Sequence, residues 1–456
     1  MFYRFKILIK KISPKFLINW YHFGIAFLAA LSNGFPGKKL RIIGVTGTNG
    51  KSTVVQMLSQ IMEEAGFKVA SLSSIRFRLD GKEEINTKRM TMPGRFFVQQ
   101  FLAKAVKANC QYAVLEVTSE GIIQHRHRFI NFGTAVFTNL TLEHIESHGS
   151  FEKYREAKMR LFRATRNIHI INTDDENAGY FLKFPSKQKF CYSLNNDLKI
   201  ESLKIAEPNG VCKLKIENCK FIKATDINTS PNGVNFKVED VVFSLHLLGD
   251  FNVYNALAAI AAARSQGIGL EICRQALGKI NNLPGRMELV IKEPFKVFVD
   301  YAFTPNALEK VYQELTRRLT LDANKLVCVL GSCGGGRDKW KRPVLGKIAA
   351  NYCDQIILTN EDPYDEDPQE IIDQINSGIE SISVDQRLDQ RQSATLKIID
   401  RREAINKALS IARPGDTVII TGKGCEPSIC LAGGKQIIWD DRRVVREEFS
   451  KINNKQ

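Results

Sequence analysis

Residues 41–53 read Arg-Ile-Ile-Gly-Val-Thr-Gly-Thr-Asn-Gly-Lys-Ser-Thr. The apolar run 42–45 predicts a buried strand, and the apolar residues of 54–62 recur at helical spacing, so a glycine-rich turn joins a strand to a helix. Glycines allow backbone N–H groups to face an anion, and the start of the helix adds further free N–H groups. In this setting Lys51 reaches the β- and γ-phosphates of a nucleotide, and the Ser52 hydroxyl binds Mg²⁺.

This loop departs from the common phosphate-loop pattern at one position. That pattern has a glycine six residues before the lysine, and this chain has Val45 there. The alternative interpretation is a glycine-rich turn that binds nothing. We favour nucleotide binding because Gly-Lys-Ser-Thr between a strand and a helix is a specific signal.

The composition is that of a globular protein with a strong excess of positive charge. The 456 residues carry a formal net charge of +16, and 44% of them are hydrophobic. A chain of this length exceeds one hydrophobic core, so we expect two or three domains. The charge indicates an anionic partner, which is a nucleic acid, an anionic lipid or an anionic substrate. The sequence carries no signature of a nucleic-acid-binding fold, so we expect no nucleic-acid partner.

The 10 cysteines are scattered, with no Cys-x-x-Cys pair and no Cys/His cluster at zinc spacing. This distribution predicts reduced thiols in a cytoplasmic protein. No secretory cleavage site follows the N-terminal apolar run, which agrees with a cytoplasmic location.

Residues 1–39 form a short basic and apolar N-terminal segment, predicted to be helical. Residues 20–31 are apolar almost throughout, which is too short a run to span a bilayer. Two interpretations remain open. One is a helix that lies on an anionic membrane surface through residues 1–35, and the other is a helix that packs on the following domain with its lysines in solvent. The segment has no acidic residue, and its basic residues are Arg4, Lys6, Lys10, Lys11, Lys15, Lys38 and Lys39.

Residues 40–284 read as alternating strands and helices, which predicts an α/β domain with a parallel sheet. Buried strands are predicted at 112–116 and 135–140. Within 201–247 apolar and polar residues alternate, which predicts a small antiparallel excursion. An alanine-rich helix then runs to about Ser265.

Three polar side chains follow the predicted strands of this domain. Glu116 ends one strand, Asn139 lies at the end of the next, and His144 follows soon after. Ligands of parallel α/β sheets gather at the carboxyl ends of the strands, so we expect these side chains to converge near Lys51.

A second α/β domain is predicted for residues 285–456, after a boundary near 283–286. The alternation of strands and helices restarts there, which favours a Rossmann-like fold. Residues 386–391 are polar and are predicted to form a loop. The predicted strands are 297–299, 326–330, 355–358 and 417–421.

Six blocks, in order over about residues 40–446, resemble the motifs of the Mur ligase family. The phosphate loop is similar to the variant shared by Mur ligases and folylpolyglutamate synthetases. The block at 116–126 looks most like the branch that adds the third residue of the peptidoglycan stem peptide. One such block can arise by chance, whereas six in order do not. The blocks are 46–53, 116–126, 137–158, 283–305, 331–343 and 421–426.

The resemblance implies an ATP-dependent ligase that joins an amino acid to the carboxylate of a UDP-N-acetylmuramoyl peptide in peptidoglycan precursor synthesis. The carboxylate first takes the γ-phosphate of ATP, and the amine then attacks the resulting acyl phosphate. Because two polyanions meet in such a site, metal ions and cationic side chains are required. The implied cofactors are ATP and Mg²⁺, and the implied partners are the nucleotide-sugar peptide and an amino acid. We expect a monomer.

By resemblance, the chemistry depends on four residues: Lys51, Glu116, His144 and Lys158. Ser52 and Glu116 are implied to hold the Mg²⁺ on ATP, and His144 a second Mg²⁺ beside the acyl phosphate. Lys158 falls where many of these ligases carry a carbamylated lysine, a modification that turns a cation into a metal-binding carboxylate. The residues alone also allow a capping or salt-bridged acid at Glu116, a surface histidine at His144 and a solvated charge at Lys158.

The resemblance also assigns residues that surround the nucleotide and the acceptor. For Arg126, contact with an acidic substrate group competes with an ion pair to an internal acid. For Arg286, the alternative is an interdomain salt bridge. The implied ATP-binding residues are Gly47, Thr48, Asn49, Gly50, Lys51, Ser52, Thr53, Asn139, Asn255 and Arg286. The implied substrate-binding residues are Thr91, Thr118, Gln124, Arg126, Asp300, Tyr301, Arg337, Asp338, Gly422 and Glu426.

Four features depart from the family pattern. The 39 residues before the first strand are too few for the domain that usually grips the uridine, which makes a lipid-linked acceptor an alternative. Residues 361–364 read Glu-Asp-Pro-Tyr where diaminopimelate-adding enzymes have Asp-Asn-Pro-Arg. Tyr364 cannot make the bidentate contact of arginine with a carboxylate, so lysine or another amine is open. Phe303 and Cys425 replace two histidines, and Met92 replaces a threonine.

Two other functions are open at this point. One is a superfamily relative that acts on another acid, such as a folylpolyglutamate-like or lipid-linked glutamate ligase. The other is a non-catalytic ATP-binding relative, which the substituted histidines favour. The retained set of Lys51, Ser52, Glu116, His144 and Lys158 favours a ligase, because a protein that only binds ATP has little use for a second metal site.

Overall fold

The computed structural model describes residues 14–88, 90–195, 204–207, 210–213, 219–230, 232–319, 324–382 and 394–454. The loop predicted at 386–391 lies outside these residues, as do residues 1–13 with four of the basic residues of the N-terminal segment.

The N-terminal half is an α/β unit built on one large sheet. Its strands are β1 Arg41–Thr46, β2 Val69–Leu72, β3 Arg76–Leu79, β4 Lys82–Ile85, β5 Tyr112–Glu116, β6 Phe132–Phe137, β7 Ile168–Asn172, β8 Gln188–Ser193, β9 Lys204–Glu207, β10 Gly210–Lys213, β11 Cys219–Lys223, β12 Thr225–Ser230, β13 Gly233–Val238 and β14 Val241–Leu245. Its helices are α1 Lys15–Ser32, α2 Lys51–Glu64, α3 Arg95–Lys107, α4 Ser119–Ile123, α5 Ile145–His148, α6 Phe151–Ala164, α7 Ala178–Leu182, α8 Phe251–Ser265 and α9 Leu270–Gly278.

Nine strands form this sheet in the order β11-β8-β7-β6-β1-β5-β2-β3-β4. All neighbours from β11 to β2 are parallel, and β3 and β4 add an antiparallel hairpin at one edge. The predicted parallel sheet is confirmed. β1 lies between β5 and β6, with Val45 opposite Glu116, so the carboxyl ends of these three strands lie side by side.

The strand predicted at 135–140 ends earlier than expected. β6 stops at Phe137, and residues 138–140 turn toward the phosphate loop. There the Thr48 N–H donates to the Asn139 carbonyl at 2.8 Å. The backbone of this segment therefore holds the loop instead of extending the strand.

The alanine-rich helix α8 packs against α2 and against strands β6, β7 and β8. Its residues 256–263 are all buried. A helix that is buried on every side is expected to be apolar all round, as this one is.

The antiparallel excursion predicted in 201–247 is found in part. β12, β13 and β14 form a three-stranded antiparallel sheet, and β9 pairs antiparallel with β10. β11 instead pairs in parallel with β8 and extends the large sheet.

The C-terminal half contains a second sheet, in the order β15-β16-β20-β17-β18-β19, that is parallel except for β15. All four strands predicted from the sequence are present, as β16, β17, β18 and β20. The strands are β15 Glu288–Ile291, β16 Lys296–Asp300, β17 Leu326–Leu330, β18 Gln355–Leu358, β19 Ala394–Lys397, β20 Thr417–Thr421, and the hairpin β21 Ser428–Cys430 with β22 Gln436–Ile438. The helices are α10 Pro305–Arg318, α11 Lys341–Tyr352, α12 Pro368–Glu380, α13 Arg401–Ile411 and α14 Asp441–Asn453.

The prediction that the cysteines are reduced thiols is wrong for two pairs. Cys191 of β8 and Cys219 of β11 form one disulfide, and Cys328 of β17 and Cys353 after α11 form another. Their sequence separations are 28 and 25 residues, so no local spacing marks them. Strand pairing and the return of α11 to the sheet bring them together. The free cysteines among the described residues are Cys110, Cys273, Cys333, Cys425 and Cys430.

Helix α1 packs on the N-terminal half with one side only. Ala26, Ala29 and Ala30 are buried, and Asn19 Oδ1 lies 2.7 Å from His125 Nε2. On the other side Trp20 is 70% exposed. The helix thus packs on its neighbour, as one interpretation expects, and leaves an open face. Within the described ranges, no helix combines the length and apolarity needed to cross a membrane.

A buried ion pair ties α14 to the second sheet. The Arg401 guanidinium donates to both carboxylate oxygens of Asp441, at 2.9 and 2.7 Å, and to the Thr421 carbonyl at 2.8 Å. The Trp439 indole N–H donates to the same carboxylate at 2.8 Å. Loss of one partner would leave a buried charge without compensation.

We expect Asp441→Ala to lower the free energy of unfolding by about 3–5 kcal/mol, because Arg401 would stay buried without its counter-ion. Urea unfolding followed by circular dichroism measures the change. The control is Asp373→Ala, which removes the carboxylate of an exposed pair with Lys397 at 2.8 Å and should leave the stability nearly unchanged. Similar losses in both variants would contradict the prediction.

Candidate active site

A cleft between the two halves contains most of the predicted site residues. The carboxyl ends of β1 and β6 face the carboxyl end of β16 across it. A cavity of 640 Å³ lies in the cleft, which is a volume typical of small-molecule sites. Its walls include Asn49, Gly50, Asn139, Asn255, Arg286 and Tyr301.

Two glycines of the phosphate loop have no room for a side chain. A Cβ at Gly47, where φ is 150°, would lie 1.9 Å from Thr138 Oγ1. A Cβ at Gly50, where φ is 82°, would lie 2.2 Å from Asn255 Oδ1. The loop is therefore packed between the end of β6 and the start of α8. Residues 49 and 50 of the loop line the cavity.

Glu116 makes several polar contacts with the start of α2 and with the segment after β2. It is buried at the end of β5, where its Oε2 accepts from the Ser52 hydroxyl and from the Ser74 N–H, both at 2.8 Å. Lys51 Nζ lies 3.8 Å from Oε1, so the ion pair that the sequence allowed is present as well. The convergence of Glu116 and Asn139 on the loop is confirmed, because Asn139 Oδ1 also accepts from the Asn49 N–H at 2.9 Å.

Two lysines, half-buried Lys51 and buried Lys158, bond to the backbone of the loop. Lys51 Nζ donates to the Thr48 carbonyl at 2.8 Å, and Lys158 Nζ donates to the Gly47 carbonyl at 2.6 Å. Burial lowers the pKa of both amines, and the positive charge of Lys51 lowers the pKa of Lys158 further. Lys158 is only 2% exposed, so its interpretation as a solvated charge is wrong.

His144 lies near Lys158, close enough for the lysine charge to act on the imidazole. Its backbone is left-handed, with φ at 60°, at the start of α5. Its ring centroid is 5.6 Å from that of Tyr154. Burial, aided by the charge of Lys158, lowers the pKa of His144 to about 2, so the imidazole is neutral at physiological pH. A neutral imidazole is the form that binds a metal.

The arrangement fits an open magnesium site. Among the described residues, no three His, Cys, Asp or Glu side chains come together as a closed metal site. Mg²⁺ usually takes one or two protein ligands and completes its shell with water and substrate phosphates. The Ser52 hydroxyl beside the Glu116 carboxylate offers hard oxygen ligands of this kind.

Arg286 reaches the cavity from the C-terminal half. Its guanidinium lies 4.8 Å from the ring centroid of Tyr301. Its Nε is buried and has no hydrogen-bond partner within the described ranges, where no ion pair of Arg286 occurs either. The interdomain salt bridge considered for it is thus not found there, and the group is left for a ligand.

The other predicted residues of this half form one cluster. Asp300 accepts from the N–H groups of Met287 and Ala302, each at 2.6 Å, and so shapes the turn after β16. The Tyr301 hydroxyl donates to Glu426 Oε1 at 2.7 Å. A Cβ at Gly422 would lie 2.5 Å from Glu361 Oε2, which places this glycine against the residues 361–364.

Asp338 has a structural role that the sequence did not indicate. Its carboxylate accepts from the N–H groups of Ile145 and Glu146, at 3.3 and 2.9 Å, and so caps α5 across the cleft. Nearby, Lys341 Nζ lies 3.1 Å from Glu143 Oε1 in a buried pair between the two halves. A cavity of 400 Å³ beside this contact is lined by Glu120, His144, Arg337 and Tyr364, among others.

The predicted acceptor residues lie before α3 and at the two ends of α4. Thr91 Oγ1 is 2.8 Å from the Ser74 hydroxyl, which itself donates to Glu116. Thr118 caps α4 by accepting from the Gly121 N–H at 3.1 Å. Arg126 donates to Gln124 Oε1 at 2.8 Å and to the Met92 carbonyl. These partners are neutral, and the ion pair with an internal acid is not found among the described residues.

Three residues of the site are missing from the predicted set. Ser74 joins Glu116 to Thr91, Tyr154 Oη lies 3.0 Å from Thr48 Oγ1, and buried Lys423 pairs with Asp362 at 2.9 Å. The sequence could have indicated Tyr154, because it lies four residues before Lys158 and therefore on the same helix face. Ser74 has none, because it follows β2 without any motif.

Of the substituted positions, Phe303 and Tyr364 line the cleft and Met92 belongs to the core. Lys341 Nζ lies 4.9 Å from the ring centroid of Phe303, and Met92 is buried against Gly121, where a Cβ would meet its sulfur at 2.7 Å. Tyr364 has a left-handed backbone with φ at 53°, and its ring lies against Gly335.

Comparison with known families gives two matches in chain order. Residues 45–263 match the Mur ligase middle domain, and residues 285–424 match the domain described as Mur ligase, glutamate ligase domain.

Curated relatives and solved structures cover nearly the whole chain. A UDP-N-acetylmuramyl-tripeptide synthetase of Roseiflexus sp. is 35% identical over 94% of this chain and 82% of its own length. A UDP-N-acetylmuramoyl-L-alanyl-D-glutamate–2,6-diaminopimelate ligase of Syntrophomonas wolfei is 35% identical over 93% of this chain and 81% of its own. The structure of a ligase of that same name has a TM-score of 0.56 at 29% identity, covering 91% and 79% of the two chains. The structure of MurF ligase from Thermotoga maritima in complex with ADP has a TM-score of 0.64 at 17% identity, covering 94% and 84%, which shows a shared fold.

We expect the neutral His144 to make the fold sensitive to acid. The pKa of His144 in the folded chain lies far below the ordinary value near 6.5. Below pH 6.5 the imidazole therefore binds a proton in the unfolded chain but stays neutral in the folded chain. Stability is therefore lost as the pH falls, by up to about 2 kcal/mol between pH 6.5 and 5. His144→Asn keeps a residue that tolerates the left-handed backbone and should remove this part of the loss.

Urea unfolding at pH 7.5 and pH 5 measures the difference for both proteins. An identical pH-dependent loss in the wild type and the variant would contradict the half-buried, neutral imidazole.

Proposed function

This chain belongs to the Mur ligase family of ATP-dependent acid–amino-acid ligases, and we propose that it adds an amino acid to the carboxylate of an N-acetylmuramoyl dipeptide in peptidoglycan synthesis. The observation that carries the proposal is the grouping at the carboxyl ends of neighbouring parallel strands. There Lys51 and Ser52 both contact Glu116, and Lys158 contacts the same loop. We take residues 40–284 as the nucleotide-binding domain and residues 285–456 as the domain that closes over it.

In this proposal, the backbone of residues 47–50 holds the phosphates of ATP. Lys51 would turn from the Thr48 carbonyl toward the γ-phosphate, and Arg286 would approach from the opposite wall, so that two cations neutralise the charge of the transferred group. Asn139 and Asn255 keep the loop in place from behind. Ser52 and Glu116 would hold Mg²⁺, which supplies charge neutralisation at the phosphates.

We propose further that Lys158 is carbamylated. Its depressed pKa favours the neutral amine, which can attack the carbon of CO₂; an N–C bond forms, the nitrogen loses a proton, and a carbamate anion results. That anion would place a negative charge near the Lys51 ammonium, which is an attractive interaction. Together with neutral His144 it would offer ligands for a second Mg²⁺.

The acceptor peptide would lie along Thr91, Thr118, Gln124 and Arg126. Arg126 has only neutral partners among the described residues, which leaves its charge available to an acidic group of the acceptor. The incoming amino acid would lie near Arg337, Gly422 and Glu426. We place the reaction in the cytoplasm and expect a monomeric enzyme.

We expect Lys51→Ala to lower amino-acid-dependent phosphate release by at least about 100-fold, because a cation at the transferred phosphoryl group is lost. The assay mixes protein, ATP and Mg²⁺ with UDP-N-acetylmuramoyl dipeptide and, in turn, diaminopimelate, lysine, ornithine and glutamate. Mass spectrometry identifies the product. The matched control is Lys279→Ala, which removes an exposed lysine paired with Glu64 at 2.7 Å and should keep full activity.

A second version of the assay keeps ATP and replaces the UDP-N-acetylmuramoyl dipeptide with a lipid-linked muramoyl dipeptide. Turnover with only that acceptor would move the substrate from the nucleotide-linked to the lipid-linked form. Failure to ligate any amino acid to either acceptor would exclude the proposed ligase.

Carbamylation of Lys158 has its own measurement. With ¹³C-bicarbonate, the wild type should show a carbamate carbon signal by NMR that Lys158→Ala lacks and that Lys153→Ala, an exposed lysine of the same helix, keeps. Lys158→Ala should also lose activity and regain part of it with formate or acetate, which supply a free carboxylate. Absence of the signal in an active wild-type enzyme would refute the modification.

A further inference from the structure

Helix α1 has an apolar face that the described part of the chain leaves open to solvent. Six large side chains on it are between 51% and 70% exposed, and at 3.6 residues per turn their positions fall on one side of the helix. They are Phe16, Leu17, Trp20, Tyr21, Leu28 and Leu31.

The opposite side of α1 is anchored, so the direction of this open face is fixed. Asn19 lies 2.7 Å from the His125 ring nitrogen, and the ring centroid of Phe23 lies 5.3 Å from that of Phe129. Farther along, Ala30 is fully buried. The helix is therefore a fixed part of the surface and not an arm that folds back over its own apolar residues.

The charged residues in the sequence of the N-terminal segment have one sign. Residues 1–39 contain seven basic residues and no acidic one. Lys38 and Lys39 are exposed at the end of the segment, and Arg128 is exposed beside Phe129, against which α1 packs. A second copy would bring two acid-free segments together, which is electrostatically unfavourable. An anionic surface is the complementary partner.

The geometry points to an anionic lipid bilayer as that partner, and we propose that α1 docks this chain on it with the open face in the headgroup region. An 18-residue helix is about 27 Å long, and none of the helices in the described ranges has the length and apolarity to span, so α1 would lie flat in the interface. Tryptophan and tyrosine, here Trp20 and Tyr21, favour that depth. Basic residues near the face add attraction to anionic lipids.

Docking would also orient the acceptor end of the cleft. Arg95 Nε donates to the Gln124 carbonyl at 2.9 Å, and the same guanidinium bonds to His22 of α1. The neighbouring side chains Phe96 and Ile123 are 43% and 40% exposed. The loop that bears Gln124 would thus face the membrane. This consequence rests on the proposed function, whereas the docking itself does not.

The test uses the full chain, without ATP or amino acid, in a vesicle sedimentation assay. We expect it to pellet with mixed phosphatidylcholine–phosphatidylglycerol vesicles, less with phosphatidylcholine alone, and less as the salt concentration rises. The double variant Trp20→Ser/Leu28→Ser should lower the partition coefficient by at least about tenfold. The control Ile438→Ser makes the same kind of change at an 82% exposed site on β22 and should leave it unchanged.

Fluorescence adds a readout at the helix itself. Trp20 emission should shift to shorter wavelength on binding, and Trp20→Phe should lose that shift while it still pellets. Failure of the wild type to pellet with the anionic vesicles would overturn the proposal, as would equal binding by the double variant. A dimer in light scattering that the double variant abolishes would show instead that a second copy covers the face.

Because no step of this assay uses turnover, the two proposals fail separately. A chain that pellets but ligates nothing would keep the docking and lose the proposed function.

Discussion

A backbone contact between the ends of β1 and β6 holds the phosphate loop, and the groups that begin α2 take their positions from it. The Thr48 N–H bonds to the Asn139 carbonyl, and a Cβ at Gly47 would collide with Thr138. Because β1 and β6 are neighbours and both end at this contact, the sheet register places the loop, and the Asn139 side chain adds a bond to the Asn49 N–H. Lys51 and Ser52 begin the next helix and so receive their positions from the same contact.

Cationic side chains gather around the phosphate loop, although acidic residues line the same cleft. Lys51 lies half-buried 3.8 Å from Glu116, and Lys158 is buried against the Gly47 carbonyl. Arg286 faces the cavity with an Nε that has no hydrogen-bond partner among the described residues. Burying such charges opposes folding, so the rest of the fold must supply the stability. A bound phosphate chain would place negative charge beside these cations, and only the Lys51 side chain would need to turn toward it.

What the sequence could predict follows from how local each feature is. β1, the loop and α2 are continuous in the chain, and β5, β17, β18 and β20 are buried apolar runs, so patterns in single segments sufficed. The disulfides, Ser74 and the capping role of Asp338 depend on which elements become neighbours, which no single segment encodes. For α1 the pattern predicted a helix, but both of its sides are apolar, so only the packed structure distinguishes the anchored side from the open one.

The ion pair of Lys341 and Glu143 has a consequence for product release. Both side chains are buried while the two halves are in contact. Separation of the halves would therefore expose both charges to water. Their gain in hydration offsets most of the attraction that is broken, as is usual for buried pairs. Such a contact fixes the angle at which the halves meet while adding little to the work of separating them. Precise closure and easy opening then come from one pair of side chains.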